Sequence, residues 1–141
     1  MNDNYNPLDK ELNRLVQVIA RLRAEDGCPW DREQTHGSLK AACVEEAAEV
    51  VGGINILEQT GNAENLKEEL GDLLFSAVNA ARFLKIDPEE ALHEACNKFT
   101  LRFSLLEQEA VKRGKKLEDM TLNEMDELYE LAKKTLRSST H

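Results

Sequence analysis

Cysteine is scarce in this chain of 141 residues: only Cys28, Cys43 and Cys96, odd in number and widely spaced. That excludes a disulfide-stapled secreted scaffold and predicts reduced thiols in a cytoplasmic protein, with Cys43 and Cys96 packed in the core. Three prolines and seven glycines, set among abundant Ala, Leu, Glu and Lys, predict helix throughout. No stretch approaches the roughly 20 apolar residues of a membrane span. No apolar run behind a basic segment opens the sequence, so no signal peptide is expected. Basic residues are outnumbered 18 to 27, for a net charge of −9. This argues against nonspecific binding to nucleic acid or to an anionic membrane. An anionic small substrate stays open, because a bound cation can reverse the local field. The length fits one domain, which should bury roughly two-thirds of its unfolded-chain surface.

What the chain does have is two carboxylate clusters in helix-forming sequence, Glu45-Glu46-x-x-Glu49 and Glu69-x-x-Asp72. Acids three apart share a helix face. Crowded like charges are costly, and a hard divalent cation is the usual remedy. Two such helices side by side would offer oxygen ligands suited to Mg²⁺ or Mn²⁺, which points to phosphate chemistry. The bland alternative is a solvated acidic face. Glu46 and Asp72 weigh against it, because both fall beside apolar residues, and Lys67 and Arg82 alone flank the second cluster.

The punctuation divides the chain into helices. Asn6-Pro7 can start a first one, whose apolar positions run from Leu8 to Leu22 at helical spacing, and Asp26 to Asp31 breaks it. A second is expected from near Gly37 to Leu57, with the stripe Leu39, Cys43, Ala47, Val50, Ile54 and Leu57. After a turn at Gly61-Asn62, a third spans roughly Ala63 to Leu84. It is apolar on nearly every face from Leu70 onward, which implies burial all round and a partner subunit over one side. A fourth opens at Asp87-Pro88, with Glu90 placed for a capping box, and ends near Gly114. Its stripe includes Leu92, Cys96, Phe99, Phe103, Leu106 and Ala110. Thr121 and Glu124 form a second capping box for a last helix through about Leu136. The expected architecture is all-α: a bundle of four main helices plus a C-terminal helix over residues 7–137, between flexible tails at 1–6 and 138–141.

Other residues carry chemistry less directly. Lys98 and Arg102 lie one turn apart; they are either an exposed basic face or a phosphate clamp, with Asn97 able to add an amide contact. Trp30, the only tryptophan, either plugs the end of the bundle or stacks on a nucleobase. His36 and Gln34 are candidate base or phosphate contacts. Glu90-x-x-His93 has di-iron spacing, but the required second copy is absent. Gly52-Gly53 inside the second helix is open to three readings: a kink, a close helix crossing, or room for a ligand.

Four strings in order resemble the MazG family of all-α nucleoside triphosphate pyrophosphohydrolases. They are Asp26-Gly-Cys-Pro-Trp-Asp-Arg-Glu-Gln-Thr-His36, Glu45-Glu46-x-x-Glu49, Glu69-Leu-Gly-Asp-Leu-Leu74 and Asn97-Lys-Phe-x-x-Arg-Phe103. The resemblance runs over about residues 8–136, and the part from Asn97 onward looks most like the C-terminal of the two domains in longer MazG proteins. It implies hydrolysis of an NTP or dNTP between the α and β phosphates. It also implies Mg²⁺ (or Mn²⁺) on Glu46, Glu49, Glu69 and Asp72, Glu45 orienting or deprotonating the attacking water, and Lys98 and Arg102 on the phosphates. A homodimer or dimer of dimers and a house-cleaning role follow from the same likeness. A narrow dCTP or dUTP pyrophosphatase and a catalytically silent nucleotide-binding bundle remain the alternatives. Gly52-Gly53 departs from the family pattern and leaves the helix geometry just after Glu49 open.

Overall fold

The computed structural model describes residues 7–139, which contain six α-helices and no strand. They are α1 (Pro7–Leu22), α2 (Pro29–Arg32), α3 (His36–Thr60), α4 (Glu64–Phe83), α5 (Pro88–Lys112) and α6 (Leu122–Ser138). A 3₁₀ turn, Leu117–Asp119, precedes α6. The chain divides into two units, residues 1–88 and 89–141. The tails expected at 1–6 and 138–141 lie mostly outside the described residues, but Ser138 still belongs to α6.

In the first unit α3 packs along α4, and α1 also touches α4. α3 starts earlier than the sequence suggests because Thr35 and Ser38 form a capping box: the Ser38 N–H donates to Thr35 Oγ1 at 3.1 Å, and the Thr35 N–H donates to Ser38 Oγ at 2.9 Å. It ends at Gly61 in the left-handed region, φ +74°, a conformation cheap for glycine. The short connection from there to α4 returns the chain antiparallel. Ile19 of α1 is fully buried, and Leu39 and Val78 join it among the buried residues. Asn79 is a buried polar side chain, and its Nδ2 donates to Gln34 Oε1 at 3.0 Å. Arg23 reaches the same oxygen at 3.4 Å and lies over the Phe83 ring. This network ties the segment before α3 to α4.

The second unit contains α5, the 3₁₀ turn and α6. Its core is Leu106, Ala110, Met120 and Leu128, with Leu117, Met125 and Tyr129 packed against it. The Thr121–Glu124 capping box forms as expected, at 3.1 and 3.2 Å, and Lys115 pairs with Glu124 at 2.6 Å.

Several burial expectations need correction. Cys96 is exposed and Cys43 half-buried; all three cysteines are free thiols. Leu92, Phe99 and Phe103 are exposed, so the α5 stripe reaches the core only at Leu106 and Ala110. Ala47 and Ile54 of the α3 stripe are exposed. On α4, Leu70 and Leu74 are exposed, the latter by 65%. Trp30 is 80% exposed and therefore does not plug a core.

Candidate active site

The α3–α4 pairing brings the two acidic clusters together. Glu46 and Glu49 are one turn apart on α3, and Glu69 faces them from α4. Carboxylate oxygens of Glu46, Glu49 and Glu69 all lie within 4.8 Å of one another. Glu46 and Glu69 are half-buried, and Glu49 is exposed. One oxygen on each half-buried residue, Glu46 Oε2 and Glu69 Oε2, is buried and meets no protein donor. Among the described residues no lysine or arginine forms an ion pair with these three.

The electrostatics follow from that crowding. The Glu69 carboxyl is pushed up to about 7, first by a hydrogen bond shared with Glu49, then by burial and by the charges of Glu49, Asp72 and Glu68. Glu46 is raised as well, by burial foremost and then by Glu49, Asp72 and Glu45. A cluster that resists its own ionisation and holds oxygens without protein donors has the chemistry to bind a cation. Three carboxylates within a few ångströms suit a hard divalent ion with oxygen ligands.

Asp72 is exposed, not set into apolar surroundings as the sequence suggested. It lies outside the group of oxygens within 4.8 Å, and acts on Glu46 and Glu69 through its charge. Leu70 and Leu74, one turn apart on α4, are also exposed, on a different side of the helix from Asp72. Glu45 is exposed beside Glu46.

Further along the α3–α4 seam, a cavity of about 540 Å³ is lined by His36, Leu39, Lys40, Cys43, Val44, Ala80 and Leu84. The His36 ring packs edge-on to Phe83, with centroids 5.1 Å apart. Gln34 is engaged by Asn79 and Arg23, which makes it a structural anchor for this segment.

Lys98 and Arg102 belong to a cation–aromatic cluster inside the second unit. Lys98 lies over Phe99 at 5.0 Å, and Arg102 sits between Phe99 at 5.6 Å and Tyr129 at 5.7 Å. Lys133 lies over the same Tyr129 ring at 5.2 Å. Arg102 Nε is buried with no hydrogen-bond partner. Asn97 donates its Nδ2 to His93 Nε2 at 3.1 Å. Sequence reasoning missed Tyr129 and Lys133. Their i, i+4 spacing on an amphipathic helix was the available signal, but nothing local ties them to Arg102.

Residues 34–104 match the MazG nucleotide pyrophosphohydrolase domain. The chain belongs to the MazG family. It is 46% identical over 130 residues to the nucleoside triphosphate pyrophosphohydrolase/pyrophosphatase MazG of Thermotoga maritima, an alignment covering 87% of this chain and 47% of that protein. A nucleoside triphosphate pyrophosphohydrolase of Escherichia coli is 34% identical over 87 residues, covering 61% of this chain and 32% of that protein. The crystal structure of a mazG-related protein from Thermotoga maritima aligns with a TM-score of 0.60 at 28% identity, covering 86% of this chain and 98% of that one. The chain thus spans about half the length of the first of these relatives and about a third of the second. The matched MazG segment contains both acidic clusters, His36, Lys98 and Arg102; Trp30, Tyr129 and Lys133 lie outside it.

Proposed function

We propose that this MazG-family chain is a Mg²⁺-dependent nucleoside triphosphate pyrophosphohydrolase. It adds water to the α phosphorus of an NTP or dNTP, breaks the α–β bridge, and releases a nucleoside monophosphate and pyrophosphate. The observation that carries this reading is the convergence of Glu46, Glu49 and Glu69, two of them with buried oxygens that no protein group satisfies. These three residues would hold the ion, with Asp72 adding negative charge beside them. When bound, Mg²⁺ (or Mn²⁺ in its place) supplies Lewis-acid neutralisation of the phosphate charge.

The remaining roles belong to the chain. Glu45, exposed next to Glu46, accepts the proton of the attacking water. Arg102 offers the end of its guanidinium to the phosphates, and Lys98 and Lys133 add charge around the same two rings. Asn97 supports this cluster from α5. The apolar cavity along α3 and α4 receives the base, with His36 in its wall. Trp30, with its ring free in the single chain, stacks on the nucleobase. A second copy of the chain covers Leu70 and Leu74, giving a homodimer or a dimer of dimers. The physiological task is house-cleaning of nucleotides in the cytoplasm.

The test is pyrophosphate release from a panel of NTPs and dNTPs, with Mg²⁺ or with EDTA, beside Glu49→Ala. Metal-dependent pyrophosphate and monophosphate, lost in the variant, support the reading; one dominant pyrimidine substrate would narrow it to a dCTP or dUTP pyrophosphatase. Orthophosphate release, or nucleotide binding without turnover, would refute it.

A further inference from the structure

The adjacent glycines in the middle of α3 have opposite surroundings. A Cβ built on Gly52 meets nothing within 4 Å. A Cβ on Gly53 would lie 3.1 Å from Leu66 Cδ1 and 3.3 Å from Leu66 Cα. Gly53 is also buried. The side-chain contact could be relieved by a rotamer change, but the contact with Cα could be relieved only by moving α4 away from α3. Glycine weakens a helix interior relative to alanine, so the close approach is what Gly53 gives in return.

The place of this contact matters. Gly53 follows Glu49 by four residues and Leu66 precedes Glu69 by three, about one helical turn on each side. This close contact between the helices therefore adjoins the point where Glu69 meets Glu49 and Glu46. We infer that Gly53 is a positioning residue for the carboxylate cluster: the missing side chain holds α4 close enough to α3 for Glu69 to share a cation with Glu46 and Glu49. This rests on the metal-site reading above. Mg²⁺ demands near-ideal octahedral geometry at about 2.0–2.1 Å, whereas Ca²⁺ tolerates flexible coordination at about 2.3–2.6 Å. A displacement of a few tenths of an ångström between the helices therefore weakens Mg²⁺ more than Ca²⁺.

The experiment uses the full chain and four variants, Gly53→Ala, Gly53→Leu, Gly52→Ala and Gly52→Leu, titrated calorimetrically with Mg²⁺ alone and with Ca²⁺ alone. Melting in EDTA checks that each is folded. Gly53→Ala is the decisive variant, because alanine favours helix and demands the smallest displacement. It should weaken Mg²⁺ binding about tenfold, the scale of a lost supporting contact around a metal site. Gly53→Leu should weaken it further, Ca²⁺ should be affected less, and both Gly52 variants should bind Mg²⁺ like the parent. Unchanged Mg²⁺ affinity in a folded Gly53→Ala chain overturns the inference, as do equal losses for both ions or equal losses at both glycines. A parent chain that binds no Mg²⁺ overturns the metal reading itself, and the inference with it.

Discussion

Mg²⁺ affinity should rise about tenfold between pH 6 and pH 8, because the ion must displace a proton from Glu69. With that carboxyl pushed up to about 7, roughly a tenth of the metal-free chains have it ionised at pH 6, half at pH 7 and nine-tenths at pH 8. The same shift sets the stability of the metal-free fold. Between 4.5, the ordinary value, and about 7, the folded chain keeps a proton that the unfolded chain has released. Stability therefore falls as the pH rises through this window, and the loss is complete above it. Glu46, raised as well, acts in the same direction. Glu124 and Glu130 are lowered by Lys115 and Lys133, so their stabilisation is present above 4.5 and lost below it, in a separate window. Calorimetric titrations at pH 6, 7 and 8, in buffers of different ionisation enthalpy, measure both the affinity and the protons released. Glu69→Gln should flatten the stability profile between pH 5 and 7 and abolish proton release from this residue. An affinity that does not change from pH 6 to 8, or a Glu69→Gln profile identical to the parent, would refute the reasoning.

Three further outcomes follow from single contacts. Thr121→Ala removes the acceptor for the Glu124 N–H and should lower unfolding free energy in urea by about 1 kcal/mol; an effect near zero would mean that Lys115 and Glu124 hold the helix start unaided. Arg102→Lys keeps the charge but loses the planar fork with its unpaired Nε, so kcat/KM should fall by about tenfold or more with the melting temperature nearly unchanged. Trp30→Ala should leave stability within about 0.5 kcal/mol, since the ring is exposed. It should raise KM by about fivefold or more if the ring stacks on a base; a large stability loss with unchanged KM would restore the plug reading.

The helices were legible because their signals are local. Gly61 and Gly114 mark where helices stop, and Thr121 and Glu124 meet in the capping box that their spacing implies. The carboxylates were legible for a related reason: spacing by three puts Glu46 beside Glu49 on one face, and a hairpin of two helices needs only the right register to bring Glu69 across. Burial was much less legible. Leu74, Phe99 and Phe103 have the composition of core residues, yet hydrophobic pattern states only that a face wants cover, not whether its own chain supplies it. The α3 capping box also escaped notice, because Ser38 at its third position is not the usual acid or amide.

The same division between local and non-local signals separates the two halves of the proposed chemistry. Glu46 and Glu49 can be paired from four residues of sequence, but Lys133 meets Arg102 only through Tyr129, across the turn that joins α5 to α6. Gly53 belongs to this second class. Read alone it is a defect in a helix, indistinguishable from Gly52; Leu66, on the following helix, gives it a role. An acidic cluster is unstable as three separate charges and becomes useful only when a backbone holds them within reach of one ion. The residues that set that spacing need carry no charge at all, so the sequence could single out Gly52-Gly53, with a close helix crossing among its three readings, but could not choose between the readings without Leu66.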